Sequence, residues 1–238
     1  MISFVIPAYN EERLLAATLA AIHAAGGGSG ERYEVVVADD ASTDQTASIA
    51  RNHGARVVTV AHRQIAATRN AGAKAATGDI LIFVDADTLV NEKVVRAAIA
   101  AVRAGAAGGG AAVAFDGIVP LYARLMLPLV VLSFRVAGFA AGCFVFCSRE
   151  AFEMSGGFNE SYFGAEEIVF SSALKRQGRF VVLGHSVMTS GRKLRAYSGG
   201  ELLVMLGRLA FRGPKAVKQR PGMELWYADR REDPRGDA

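Results

Sequence analysis

Ile80 to Thr88 reads ILIFVDADT, a continuous apolar run that stops at two aspartates one residue apart. Five large apolar residues in succession fit a strand covered on both faces, the pattern of a parallel sheet. Side chains alternate on an extended strand, so Asp85 and Asp87 would point the same way with Cα atoms about 6.5 Å apart. Two like charges on one face repel. A divalent cation relieves this, since Mg²⁺ typically takes one or two carboxylates and completes its shell with water and substrate phosphates. The alternative is a solvated turn in which Asp85 caps a helix starting near Asn91.

Outward from this run, Ser3–Ile6, Glu34–Val37 and Arg56–Val60 have the same strand character, and helical stretches at about 11–25, 43–53 and 65–76 separate them. Strands spaced by helices indicate βαβ units and an α/β fold: three αβα layers around a mostly parallel sheet. Ligands then belong at the C-terminal strand edges, where ProAlaTyrAsn, AspAspAlaSerThrAsp and AspAlaAsp follow the first, second and fourth strands. The glycines at 26–30 and 105–110 read as loops, neither in a phosphate-loop context. A further strand is expected at Cys143–Cys147. No linker separates the halves, so residues 1–238 read as one domain, with a nucleotide- and metal-binding half at 1–115 and an acceptor half at 116–238 that ends in a basic tail.

Composition narrows the class. At 238 residues and 51% hydrophobic, the chain can bury a core, and its net charge of +4 is mild although Arg192 to Arg220 is strongly basic. That suits phosphate-bearing ligands or an anionic membrane surface, and no nucleic-acid signature is present. Cys143 and Cys147, four apart, fit neither CxxC nor a zinc site and read as reduced core residues. The start of the sequence carries no signal-peptide pattern, so the expected location is cytoplasmic, with peripheral contact at the inner membrane face as an option. Residues 118–146 are very apolar but interrupted by Arg124 and Arg135, which favours a buried or membrane-grazing helix over a span.

Several side chains could carry chemistry. Asp40, at a strand edge, can accept from a base N–H or a ribose hydroxyl, and with Glu11 it makes a nucleoside pocket. Asp44 reads as a helix cap. Arg69 is either a solvated helix residue or a bidentate partner of a diphosphate. Glu166 and Glu167 are either an acidic pair on a helix dipole or the source of a base that takes a proton from an attacking hydroxyl; only one of the two can face a given pocket. Arg192, Lys193 and Arg195 form a basic group suited to diphosphate or an anionic acceptor. His185 reads more readily as a loop residue than as a ligand. Trp226 and Tyr227 could stack on a sugar or pack the terminal segment.

Taken in order, VIPAYNEE at 5–12, VVADDASTDQT at 36–46, ATRNAGAKAATGDILIFVDADT at 67–88, and GGF followed by EE between 156 and 167 resemble the GT-A fold glycosyltransferases of family 2. The resemblance implies an inverting hexosyltransferase using a UDP- or GDP-sugar donor, Mg²⁺ or Mn²⁺ held by a DxD motif, and a glycan or lipid-linked acceptor. It implies that Pro7, Ala8, Tyr9 and Glu11 line the nucleoside, Asp40 contacts the base, and Arg69, Asp85, Ala86 and Asp87 hold the donor, with Asp87 and Asp85 on the metal. It places the base at Glu167, where the family has aspartate, with Glu166 beside it, and phosphate or acceptor contacts at Arg192 and Lys193. Two further departures are Gln64, where members often have glycine, and Ser190, where they often have histidine. Two rivals remain: a non-catalytic sugar-nucleotide binder on the same scaffold, and a sugar nucleotidyltransferase, which would need a glycine-rich triphosphate loop that Ala8 to Arg13 lacks.

Overall fold

The computed structural model describes residues 1–120 and 136–196, together with residues 122, 124, 129, 132, 133, 200 and 218. Trp226, Tyr227, Arg135, the Lys193 side chain and most of the basic tail therefore lie outside the described residues.

An eight-stranded sheet runs in the order β3 (Arg56–Val60), β2 (Tyr33–Asp40), β1 (Ile2–Ala8), β4 (Ile80–Val84), β7 (Phe144–Ser148), β6 (Ala106–Phe115), β8 (Arg179–Thr189), β5 (Thr88–Leu89). The first four of these strands are mutually parallel. β7 runs antiparallel to both β4 and β6, while β6 and β8 are parallel. The ends of β1, β2, β4, β6 and β8 therefore open on one edge, which also receives the segment entering β7. The mostly parallel expectation describes the first half of the chain, and the second half is mixed.

Helices cover both faces. α1 (Leu15–Gly28) and α4 (Glu92–Arg103) pack on one apolar cluster, which includes Phe4, Leu19, Ile82, Val94 and Phe146. α3 (Ile65–Ala75), α5 (Arg149–Ser155) and α6 (Glu166–Gln177) pack on the other, around Val5, Phe83, Phe152, Phe158 and Phe170. Phe158 of the GGF stretch stands edge-on to Phe83 at 4.9 Å and lies 4.1 Å from Phe170, so this aromatic cluster ties α6 to β4. α2 (Thr46–Asn52) closes the outer edge, with Asp44 accepting from the Thr46 amide at 2.9 Å as the sequence suggests. Cys147 is fully buried and Cys143 half-buried, and both are free thiols.

Both glycine stretches expected to be loops are mostly regular structure: Gly26, Gly27 and Gly28 end α1, and Gly105 alone precedes β6. Periodicity hides them because a strand glycine has no side chain to alternate. The sheet needs them: a Cβ at Gly108 would lie 2.5 Å from the Phe146 carbonyl oxygen, and one at Gly110 would lie 2.5 Å from the Ala140 Cβ. The α3–β1 contact is equally close, since a Cβ on Gly72 would meet Val5 Cγ1 at 2.5 Å. Overpacking such a contact costs about 1–3 kcal/mol. Gly72→Val is expected to lower the unfolding free energy by about that amount, seen by circular dichroism as a lower urea midpoint with an unchanged m-value.

Candidate active site

The site is organised by α3. Three consecutive residues of this helix turn to three different partners. Thr68 Oγ1 donates to Asp40 Oδ2 at 2.9 Å. Asn70 brackets the GGF loop, donating to the Phe158 carbonyl at 2.8 Å and accepting from the Phe158 amide at 2.9 Å. Between them Arg69, only 1% exposed, donates through Nη1 to Glu166 Oε1 at 2.8 Å and through Nη2 to Asp85 Oδ1 at 2.7 Å and the Gly142 carbonyl at 2.9 Å. Its guanidinium lies 5.2 Å from the Phe158 ring centroid. Burial works against its charge, but Asp85 and Glu166 outweigh burial and raise its pKa further. The solvated-helix reading of Arg69 is thus overturned: α3 is covered by the 158–167 segment, which the sequence could not place above it.

The DxD segment is a turn rather than an extended end. β4 stops at Val84, and the Thr88 amide donates to the Asp85 carbonyl at 3.1 Å, so the two aspartates sit on a turn, each with its own arginine partner. Asn91 caps α4 itself through Val94 N at 3.0 Å, which removes the capping role considered for Asp85. Asp87 Oδ2 accepts from Arg192 Nη2 at 3.0 Å, and its Oδ1 accepts from Thr189 Oγ1 at 3.4 Å. Ala86 is buried, its carbonyl held by Thr18 Oγ1 at 3.0 Å.

Arg192 opens α7 (Arg192–Ala196) directly after β8 and also donates to Glu11 Oε1 at 2.7 Å. Asp116, at the end of β6, accepts from the Gly191 amide at 2.7 Å and so fixes where α7 begins. Arg195 pairs with the same Asp116 at 3.2 Å and also donates to its carbonyl at 2.8 Å. His185 lies exposed within β8, so the loop expected there is strand.

Asp40 was expected to contact a base. Its carboxylate instead accepts four hydrogen bonds: Oδ1 from the His62 and Arg63 amides at 2.6 and 2.9 Å, Oδ2 from the Gln64 amide at 3.1 Å and from Thr68. About four lone-pair sites are available, so Asp40 is saturated and serves to shape the 62–64 turn. Its neighbour Asp39, paired in register with Ala8, is buried with Oδ1 unsatisfied among the described residues. Adjacent aspartates at a strand end look alike in sequence, and only their opposite faces separate them. Pro7 and Ala8 end β1 beside it, and the Arg63 guanidinium stacks 3.6 Å over Tyr9.

Gln64 accounts for one departure from the expected motif. Its side chain donates to the carbonyls of Glu160 and, at 3.1 Å, of Tyr162, joining the 62–64 turn to the loop before α6. Among the described residues, the non-glycine residues with positive φ are Asn10, Ala41, Arg63 and Ala165, at φ of 50° to 57°, all in the loops that rim this strand edge. Such backbone is held only where surroundings over-determine it, and it clusters at functional sites.

The two glutamates have separate positions. Glu166 is buried on Arg69. Glu167 is half-buried, with its carboxyl facing Gly142 and the Arg69 guanidinium. Burial, followed by the charge of Glu166, pushes its pKa up to about 8.

Among the described residues no three acidic, His or Cys side chains converge as a ready metal cage. The two carboxylates of the turn, Asp85 and Asp87, would fit a cation of another kind, one held by one or two carboxylates and completed by water and a diphosphate.

The sequence profile described as glycosyl transferase family 2 matches residues 3–154. The chain belongs to that family. It is 41% identical over 86 residues to an uncharacterised glycosyltransferase of Mycobacterium tuberculosis, covering 36% of each chain. It is 38% identical over 93 residues to an undecaprenyl-phosphate 4-deoxy-4-formamido-L-arabinose transferase of Edwardsiella ictaluri, covering 36% of this chain and 29% of that one. The matched stretch thus spans about a third or less of these curated relatives. A mannosyltransferase of Pyrobaculum calidifontis, solved with GDP-mannose and Mn²⁺, superposes with a TM-score of 0.68 at 20% identity over 95% of this chain and 68% of that one. The fold of this family 2 protein is accordingly GT-A.

The raised Glu167 carboxyl has a consequence for stability. The folded protein keeps this proton up to about pH 8, while an unfolded glutamate releases it near 4.3. Between those values the folded state binds more protons, so this group's contribution to stability falls as pH rises through the window. In metal-free buffer, the wild type is expected to lose stability relative to Glu167→Gln between about pH 5 and 8, measured as paired urea titrations across that range.

Proposed function

We propose that this chain is an inverting, metal-dependent glycosyltransferase that moves a sugar from a UDP- or GDP-sugar to an acceptor hydroxyl. The observation that carries the reading is the carboxyl of Glu167, set apart from Glu166 and facing the Arg69 and Asp85 pair across the strand edge. A carboxyl whose pKa is raised to about 8 is, once ionised, a stronger base than an ordinary glutamate, so proton uptake by it is favoured as pH rises toward that value.

The base of the donor lies against Tyr9, Pro7 and Ala8, with Asp39 rather than Asp40 accepting its N–H. Asp87 and Asp85 hold a divalent cation, which supplies Lewis-acid neutralisation of the departing diphosphate. Arg69 fixes the Asp85 carboxylate. Arg192, already at Asp87, offers charge-assisted bonds to phosphate oxygens. Glu167 accepts the acceptor's hydroxyl proton as that oxygen bonds the anomeric carbon. The bond from that carbon to the diphosphate breaks, and its electron pair leaves on the nucleoside diphosphate. Displacement in one step from the opposite face inverts the centre, with the oxocarbenium-like character of glycosyl transfer. Glu166, neutralised by Arg69, positions rather than reacts.

A lipid-linked acceptor suits the surface beside this edge. Ile118, Leu129, Leu132 and Val136 are all more than half exposed. Residues 118–146 contain Arg124 and Arg135 and no acid, and 192–220 contain eight Lys or Arg against Glu201. Tyr122 Oη donates to the Leu194 carbonyl at 2.9 Å, joining the apolar stretch to the start of the basic run. Apolar and cationic groups side by side match an anionic membrane surface. No helix among the described residues is long and apolar enough to cross a membrane.

A screen of UDP- and GDP-sugars with Mg²⁺ or Mn²⁺, reading nucleoside diphosphate release with lipid-phosphate and glycan acceptors, tests the activity. Glu167→Gln should lower kcat by a factor of about 10² to 10⁴ with little change in donor KM. Full activity in that variant would place the base elsewhere, and absence of release from the folded wild type with every donor and acceptor would make the protein a binder. Separately, replacing Arg124 and Arg135 should reduce co-sedimentation with vesicles containing phosphatidylglycerol, and unchanged binding would refute the membrane contact.

A further inference from the structure

Each carboxylate of the DxD turn is neutralised by its own arginine. Asp85 has Arg69, which is buried and braced by Glu166 and the Gly142 carbonyl. Asp87 has Arg192, which differs in every respect that bears on movement. It is about a fifth exposed, lies on a helix of five residues, and bridges Asp87 to Glu11 across the ends of β1 and β8. Glu11 and Asp87 outweigh the effect of burial and hold it firmly charged. Ser190, two residues earlier, is buried and occupies the position where the family often supplies histidine; its amide donates to the Asp87 carbonyl at 3.1 Å. A nitrogen ligand is therefore absent from the segment that delivers the guanidinium.

We propose that Arg192 is the resident counter-ion of the donor site: it clasps Glu11 and Asp87 together while no donor is bound, and it releases Asp87 to the cation only when a diphosphate arrives to take the guanidinium. This rests on the metal-dependent reading above. The physical reason is competition for one carboxylate. A guanidinium within 3.0 Å of Asp87 Oδ2 and 2.7 Å of Glu11 Oε1 opposes a second cation by charge and by occupancy. A diphosphate reverses the balance because it carries enough negative charge to bind both the cation and the arginine. Cation and sugar nucleotide then enter as one unit, and free metal is held poorly. The clasp also draws α7, and with it the start of the basic run, against the β1 loop, so donor entry and the position of that segment are linked.

The test is Mn²⁺ binding followed by the electron paramagnetic resonance signal of the free ion, on the whole chain, first with Mn²⁺ alone and then with UDP or GDP added. The wild type should bind Mn²⁺ alone weakly and gain affinity when the nucleotide is present. Arg192→Ala should bind Mn²⁺ alone about tenfold more tightly than the wild type, since a charge this close at an effective dielectric near 20 opposes by more than that factor. The same variant should bind the nucleotide with Mn²⁺ less tightly. Arg192→Lys, which keeps the charge but loses the fork, should fall between. Thermal melts by circular dichroism confirm that each variant is folded, and the lysine variant decides the matter should the alanine variant unfold. Equal affinity for Mn²⁺ alone in wild type and folded variants would overturn the clasp while leaving the metal reading in place. Failure of every form to bind Mn²⁺ even with UDP or GDP would overturn both.

Discussion

A buried guanidinium is an expensive object, and the second half of this chain is arranged around one. Arg69 meets carboxylates from two separate segments and a carbonyl from a third. Removing one partner from such a cluster strands charge in a dry site, at about 3–5 kcal/mol. α6, the DxD turn and the entry to β7 are thereby held to α3 by charge, and the aromatic contacts of Phe158 hold the same elements by area. The carboxylates of Asp85 and Glu166 keep a common reference because both are bonded to one side chain.

That arrangement divides labour among residues that are alike in type. Asp39 and Asp40 are neighbours, yet one is saturated by a turn and the other faces the edge with an unsatisfied oxygen. Glu166 and Glu167 are neighbours, yet one is neutralised and the other, short of compensating donors, holds its proton more tightly. In each pair one member makes the site rigid, and under the proposed function the other is the one that does chemistry. Preorganisation of this kind is what transition-state stabilisation requires.

The sequence made the parallel half legible because apolar runs and helical spacing recur there with little interference, and the strand-edge motifs followed from chain direction alone. It misplaced the glycines of β6, whose fit depends on the Phe146 carbonyl and Ala140 approaching from elsewhere. It left Arg69 ambiguous for a similar reason, since burial of a helix face depends on what packs over it. The choice between Asp39 and Asp40, and the function of Gln64 as a tie to the Glu160–Tyr162 carbonyls, rest on contacts more than 20 residues apart. No local pattern encodes them.

The left-handed residues of the rim bear on how the protein could evolve. An L-residue in that conformation gives up about 1–2 kcal/mol, and Ala41 and Ala165 have no polar side chain to recover part of it locally. Glycine would relieve the strain but would loosen the unfolded and folded loops alike. Alanine keeps each turn stiff enough to hold Glu166 and Glu167, or the 42–46 loop, at a fixed angle. The rim is thus a reserve of stability left undrawn, and variants selected only for heat resistance would be expected to change there first, exchanging rigidity of the pocket for a less strained chain.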